Sequence, residues 1–350
     1  MKNLVIGDLH FGTKSNSVSW LEAQTRLWNE LIIPIIENER FDRIIFLGDL
    51  TDIRYAINQQ VGCELKKLVR KLSYRFDEKN PDGKIIFIAG NHDYYSPVED
   101  FTQYNSYELI FGEEFAFYHE NIIFVTQFPY FDEENEALYL PWFYTEDNKK
   151  FSDALYQFKG FNQIYCHTDL SGWGEGRIYS LRGAKVYSGH IHYPWEDEAT
   201  GLYNLCAALP LNFSDVNQKR YIHVIQDGFI VRKIENTITP KFKRLYNIEI
   251  FDRIGEEFFD NSFVQLMIDR KNINKAEYIE RIKDLKRQFG ERYNISIKLY
   301  DGETAMIDKL DVAPIQTNIN EYIDNNVPLH LELKYNTIKQ KLNASSDVDF

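Results

Sequence analysis

At 350 residues the chain is long for one domain and comfortable for two, and its 44% hydrophobic and 27% charged content is that of an ordinary globular protein. A formal charge of −13 speaks against holding nucleic acid by net attraction alone, although bound divalent cations or a basic partner would supply local positive charge. No apolar run approaches the ~18 residues of a membrane span; with three cysteines (Cys63, Cys166, Cys206), no CxxC pattern and no basic-then-apolar opening segment, the expectation is a cytoplasmic protein.

The first apolar run, Asn3 to Ile6, reads as a strand ending in Gly7-Asp8-Leu9-His10. A helix should follow. Ser19 and Glu22 have the spacing of a capping box, and Leu27, Leu31 and Ile35 recur at helical period. A second strand, Arg43 to Leu47, runs into Gly48-Asp49-Leu50-Thr51-Asp52. A second helix is marked by Val61, Leu65, Leu68 and Leu72. After the turn Asn80-Pro81-Asp82-Gly83, a third strand leads into Gly90-Asn91-His92-Asp93. Strand, loop and helix repeated in this way argue for a layered α/β domain.

From residue 94 to 159 the pattern is irregular and aromatic, with a hairpin or loop expected at 132–136. Strands are then expected at 162–166, ending at His167, and at 185–188, ending at Gly189-His190-Ile191-His192. Further strands follow at 202–205, 220–226 and 229–235, the last two joined by an Asp227-Gly228 turn. Near Pro240 the style changes. A strand at 263–268, a charged helix at 275–289 and a strand at 293–300 suggest a small β–α–β domain. Beyond it, 318–324 and 328–342 carry helical spacing, and the last few residues read as a frayed tail.

Of the eight histidines, His10, His92, His167, His190 and His192 lie at or just beyond the ends of expected strands. His119, His223 and His330 lack such company and read as surface or satisfied core residues. If the strands share one layered domain, Asp8, His10, Asp49, Asn91, His167, His190 and His192 converge. A mixed imidazole and carboxylate shell suits Mn²⁺, Fe²⁺ or Zn²⁺ better than Mg²⁺ or Ca²⁺. Seven donors exceed the needs of one such ion and suffice for two if one carboxylate bridges. Two ions ~3.5–4 Å apart can hold the attacking and leaving oxygens of a phosphoester displacement and supply hydroxide near neutral pH.

Asp-x-His, Gly-Asp, Gly-Asn-His-Asp, His and Gly-His-x-His, in this order, resemble the calcineurin-like metallophosphoesterase superfamily over roughly residues 1–235. The resemblance implies an αββα-type layered domain. It implies Asp8, His10 and His192 on one metal, Asn91, His167 and His190 on a second, and Asp49 bridging. His92 would protonate the leaving oxygen or steady the transition state, with Asp93 fixing its ring. Two divalent ions are implied, Mn²⁺ first, with Fe²⁺, Zn²⁺ or Mg²⁺ as alternatives.

Gly48-Asp49-Leu50-Thr51-Asp52-Ile53-Arg54 looks like the nuclease branch, although Thr51 stands where Phe is usual and His167 lies in Cys-His-Thr-Asp. More than a hundred residues follow Gly-His-x-His. That layout is similar to SbcD-type nuclease subunits of double-strand-break repair complexes, phage members especially, which would place the protein in a host cytoplasm. The resemblance implies a nuclease domain at 1–239, a small α+β cap contacting DNA at 240–312, and a helical segment at 313–350 that docks on an SbcC-type coiled-coil ABC ATPase. It also implies a homodimer. Candidate DNA contacts are Lys14, Arg54, Arg177, Arg182, Lys219, Arg220, Lys241, Lys243 and Arg244; Lys66, Lys67, Arg70 and Lys71 read better as a solvated helix face. The alternatives are a small-molecule or cyclic-nucleotide phosphodiesterase of the same superfamily, and a non-catalytic scaffold that binds DNA ends.

Overall fold

Strands β1 (Lys2–Ile6), β2 (Arg43–Phe46), β3 (Lys84–Ile88) and β4 (Ile122–Val125) pair in parallel. The structure, a computed structural model, describes residues 1–52, 54, 56–96, 104–112, 115, 119–173, 181, 183–246, 258–269, 279–280, 283–284, 287 and 294–300. Beyond β1 the sheet continues with β11 (Tyr221–Gln226) and β12 (Phe229–Glu235), both pairings antiparallel, in the order β12-β11-β1-β2-β3-β4. The expected turn joins the last two, with Asp227 and Gly228 both at positive φ (51° and 75°).

A second six-stranded sheet faces the first. It contains β5 (Tyr130–Asp132), β6 (Ala137–Leu140), β7 (Gln163–Cys166), β8 (Lys185–Ser188), β9 (Trp195–Asp197) and β10 (Leu202–Asn204), in the order β5-β6-β7-β8-β10-β9. Its four middle strands are parallel and its edge strands antiparallel. The expected 132–136 hairpin is the β5–β6 connection.

Both faces of each sheet are covered, so the central strands read as continuous apolar runs. Val5, Ile45, Leu47, Ile86 and Ile88 of the first sheet meet Tyr139, Tyr165, Tyr187 and Leu205 of the second. Tyr130, Tyr139, Tyr165, Tyr187 and Tyr203 stack across neighbouring strands with centroids 5.2–5.7 Å apart. Each buried ring removes a large apolar area from water and keeps its hydroxyl paired: Tyr165 donates to Gln163 Oε1 (2.8 Å) and Tyr187 to the Gly228 carbonyl (2.7 Å). Leu4, Ile6, Ile44, Phe46, Ile85 and Phe87 point outward beneath the helices, giving the αββα layering.

Helix α1 (Val18–Leu27) passes through a π-helical turn (Trp28–Ile32) into α2 (Ile33–Asn38). Pro34 has no N–H for the α-helical ladder, and the wider turn absorbs that loss. The expected Ser19–Glu22 capping box does not form: Ser17 is the N-cap, and Ser19 lies inside the helix. Helix α3 (Gln59–Lys79) buries Val61, Leu65, Leu68 and Leu72 as its spacing predicts, and the Asn58 side chain caps it by accepting from Gln60 N (2.8 Å). On the outer face of the second sheet, α6 (Asn148–Gln157) buries Phe151, Ala154 and Leu155. It follows the short helices α4 (Ser106–Ile110) and α5 (Trp142–Glu146), and these three helices and β4 lie in the aromatic stretch whose periodicity predicted no element.

A third sheet pairs β13 (Lys241–Leu245) in parallel with β14 (Ser262–Asp269) and includes β15 (Asn294–Tyr300). Strand β13 precedes the expected β–α–β unit. Of its helix at 275–289, Ile279, Glu280, Lys283, Asp284 and Arg287 are described and helical. The expected docking segment at 313–350 lies outside the described residues. By its contacts the chain divides into Met1–Ile268 with Ala276–Lys298, and Asp269–Lys275 with Leu299–Phe350; every described residue of the site belongs to the first unit. No helix among the described residues is long and apolar enough to cross a membrane.

His223 on β11 lies beside Val5, buried, with Nδ1 unpartnered among the described residues. Burial, helped by Lys233, holds its pKa down to about 3. The unfolded chain therefore takes up a proton near pH 6.5 that the native state refuses. Stability is full above that pH and falls with acidification by about 1.4 kcal/mol per pH unit. In His223→Leu, the stability difference between pH 7 and pH 5, measured by urea denaturation, should shrink by about 2 kcal/mol. An unchanged difference would show that His223 is protonated in the folded protein.

Candidate metal centre

The parallel strands of both sheets end at one edge of the sandwich, and the loops leaving them meet there. Asp8 and His10 follow β1, Asp49 and Asp52 follow β2, Asn91, His92 and Asp93 follow β3, His167 follows β7, and His190 and His192 follow β8. Asp8, His10, Asp49 and His167 are buried, whereas Asn91, His92, His190 and His192 are half-buried and form the accessible side.

All seven residues expected as metal ligands are brought together, in two groups. Around one point, Asp8, His10 and His192 present donors within 4.8 Å of one another. His10 Nε2 lies 3.2 Å from His192 Nε2, which is 3.7 Å from Asp8 Oδ2. Around the other, Asp49, His167 and His190 do the same, and Asn91 Oδ1 sits 3.0 Å from His167 Nε2 and 2.9 Å from His190 Nδ1. Asp49 Oδ2 lies between the groups, 3.6 Å from His10 Nε2 and 3.3 Å from His167 Nε2. Its other oxygen accepts the His92 backbone N–H (2.8 Å).

These positions demand an unusual backbone. His10, Asp49 and His190 all have positive φ (47°, 45° and 77°). Each such residue costs on the order of 1–3 kcal/mol, which surrounding structure must offset. Neighbouring motifs also fit into one another. A Cβ at Gly90 would overlap the Asp49 carboxylate and backbone, and one at Gly189 would overlap the Asp8 carboxylate.

The donor chemistry fits divalent cations. Two imidazole nitrogens face each other in each group, His10 with His192 and His167 with His190, and buried carboxylates stand beside them. Burial works against an imidazolium at His167, yet the Asp49 and Asp8 charges outweigh it and lift its pKa to about 9. At His10 burial is likewise outweighed, by the Asp52 hydrogen bond and the Asp49 and Asp8 charges. Burial keeps His190 and His192 below the ordinary histidine value, neutral as ligands must be. The cluster thus draws positive charge inward and offers nitrogen and oxygen lone pairs to receive it. Outer hydrogen bonds set the rings: His167 Nδ1 donates to the Leu47 carbonyl (2.8 Å) and His10 Nδ1 to Asp52 Oδ1 (3.0 Å). Each Nε2 is left facing the site.

A model of the calcineurin-like phosphoesterase family matches residues 1–226, close to two thirds of the chain. The chain belongs to the calcineurin-like phosphoesterase family. No curated protein matches it. As a calcineurin-like phosphoesterase it is a metal-dependent hydrolase of phosphoesters, and its Asp/His groups are where divalent metal can bind.

Within this phosphoesterase, one expected role is corrected. Asp93 does not hold the His92 ring. Its carboxylate is buried on the far side of the loop, where Oδ2 accepts from Gly90 N, Leu50 N and Tyr107 Oη, and Oδ1 from Thr51 N, Thr51 Oγ1 and Ser106 Oγ, at 2.9–3.3 Å. Burial and the Asp49 charge nonetheless raise its pKa above the usual carboxylate value. The His92 ring is instead fixed by Asp52, whose carbonyl accepts from Nδ1 at 2.9 Å. Asp52 therefore serves two rings, His10 through its carboxylate and His92 through its backbone. Gln24 is a second residue the motifs did not reveal: Nε2 donates to the Leu9 (2.6 Å) and His10 (2.9 Å) carbonyls, tying α1 to the first loop. Asp52 was legible as the last residue of Gly-Asp-Leu-Thr-Asp; Gln24 carried no signal.

The expected DNA contacts divide. Arg220 is corrected: it is 1% exposed and ion-paired with Asp215 (2.8 Å), so it cannot meet a phosphate backbone. Lys243 is half-buried and donates to the Phe258 carbonyl, and Arg244 is half-buried with Nε donating to Gln265 Oε1. Lys14, Lys219 and Lys241 are exposed, Lys219 beside Glu235 (2.9 Å), and Arg54 is half-buried. Arg177 and Arg182 lie outside the described residues. Lys67, Arg70 and Lys71 form an exposed face of α3.

Proposed function

We propose that the protein is a Mn²⁺-dependent DNA nuclease that uses two metal ions and works as a homodimer with an SbcC-type coiled-coil ATPase. The observation that carries this reading is the third sheet. It follows the matched phosphoesterase residues and is fixed to α1, the helix after the His10 loop. Trp20 of α1 stacks on Phe263 (5.1 Å) and Phe242 (5.9 Å). An accessory sheet is superfluous for a small phosphoester and suits a long polymeric one. The Gly-Asp-Leu-Thr-Asp loop, built around Asp52, supports the same branch.

In this reading Asp8, His10 and His192 would hold one ion and Asn91, His167 and His190 the other, with Asp49 available to both. Ions bound there would make water more acidic and offset phosphate charge. The chain's own residues do the rest. Asp52 keeps Nδ1 of His10 and of His92 occupied, so each ring presents its other nitrogen. His92, a third exposed, meets substrate and passes a proton to the leaving oxygen. Exposed Lys14 and Lys241 give phosphates local positive charge in a chain of net −13.

Purified full-length protein with Mn²⁺ should degrade linear DNA, lose that activity to a chelator, and leave cyclic nucleotides and phosphomonoesters largely intact. Intact DNA beside rapid turnover of those small esters would establish the small-molecule phosphodiesterase instead. No turnover, with no metal in elemental analysis, would leave a scaffold.

A further inference from the structure

Arg220 is one of the largest fully buried side chains, yet no catalytic step uses it. It stands just before β11, whose partner β1 runs up to Asp8. Nη1 donates to the His192 carbonyl at 2.6 Å and to Cys206 Sγ at 3.2 Å, while Nη2 pairs with Asp215 Oδ1 at 2.8 Å. Asp215 is buried too, and its Oδ2 accepts from Leu211 N (2.7 Å) and Asn212 N (3.2 Å). One guanidinium thus spans two stretches of chain. The first is the Gly189–His192 loop, reached at its far end through the His192 carbonyl. The second is the 205–209 segment, in which Cys206 has φ 55° and Ala208 N donates to the Asp8 carbonyl (3.2 Å). Strained backbone persists only where its surroundings over-determine it, and Arg220 braces both stretches on either side of Asp8.

We propose that Arg220 and Asp215 are a positioning pair that sets His192 against Asp8 and so governs the affinity of the cation group formed by Asp8, His10 and His192. The proposal rests on the reading that these three residues hold a cation. The planar fork matters as well as the charge: lysine can pair with Asp215 but cannot also reach the His192 carbonyl and Cys206 Sγ. The Asp49, His167, His190 and Asn91 group has no contact with the pair among the described residues.

The test uses the full chain with Mn²⁺ as probe, in wild type, Arg220→Gln and Arg220→Lys. Calorimetric titration of each variant should show one class of Mn²⁺ weakened by about 10–100-fold and the other within about twofold, the range seen when outer-shell partners of metal ligands are removed. At the manganese level that fills both wild-type classes, the exchange-coupled electron-paramagnetic-resonance signal of a Mn²⁺ pair should give way to that of a single ion. Unchanged affinities in both variants would overturn the proposal. So would a parallel loss of both classes tracking a lower metal-free melting temperature, which is what a purely structural role produces. If Arg220→Gln does not fold, Arg220→Lys, which keeps a cation beside Asp215, decides by the same criteria. Wild-type protein that binds no Mn²⁺ would defeat the underlying metal reading, and the proposal with it; that result is distinct from a wild type with two classes and variants that match it.

Discussion

On the proposed nuclease reading, His92→Ala protein should bind Mn²⁺ as wild type does and hydrolyse DNA about 10²–10⁴-fold more slowly, the range that general acid–base groups contribute. The reasoning is geometric. His92 Nδ1 is committed to the Asp52 carbonyl at 2.9 Å, its ring lies 5.0 Å from that of His10 in an edge-on arrangement, and it remains a third exposed on the accessible side of the site. It can therefore touch a leaving oxygen without being needed to hold an ion. An internal control is available. Bis(p-nitrophenyl) phosphate expels a nitrophenolate that needs no proton, so its hydrolysis should suffer much less than that of DNA. Equal losses on both substrates would assign His92 to transition-state charge instead of leaving-group protonation. Loss of Mn²⁺ in calorimetry would make it a ligand, which its proximity to His10 and Asp49 permits geometrically.

Asp93→Ala has a different signature. All six donors around that carboxylate are buried or belong to buried loops; Tyr107 Oη would keep the Ile88 carbonyl (2.8 Å), but the Gly90, Leu50 and Thr51 N–H groups would lose the acceptor they share. A buried donor left unsatisfied costs about 1–3 kcal/mol, so with partial relaxation the substitution should lower stability by at least about 3 kcal/mol. Denaturant melts of metal-free protein measure this directly. Tyr107→Phe, which deletes one donor and keeps the ring, should be far milder. A melt unchanged from wild type, together with lost hydrolysis, would restore Asp93 to the catalytic role its place beside His92 suggested.

Much of the fold was readable because it rests on local rules. Strands buried on both faces give unbroken apolar runs, as in Lys84–Ile88, and the residues that close them with glycine, aspartate or asparagine mark where the chain turns into the site. That the seven expected ligands converge was readable for the same reason, since each stands at or just beyond the end of a strand. What was not readable depends on which way side chains point and what they meet. Nothing in Arg220 reveals the aspartate five positions earlier that buries it, so it read as a surface cation. Asp93 read as the partner of its neighbour, because adjacency is visible in a sequence and side-chain direction is not. The β4 strand and helices α4 to α6 lie in a stretch whose aromatics serve three packing layers at once, which erases a single period. The Ser19–Glu22 spacing met the rule for a cap, but the chain enters α1 two residues earlier, at Ser17.

The fit of Gly90 around Asp49, and of Gly189 around Asp8, has a bearing on how such a protein changes over generations. In each case the space belongs to one motif and its occupant to another, far away in the chain. A substitution that enlarges either glycine is felt first as a displaced carboxylate elsewhere, so its effect should depend on which residue occupies the distant position. The loops of this site are therefore bound by epistasis. They cannot drift or be transplanted singly, and a lineage that keeps one intact has reason to keep the others.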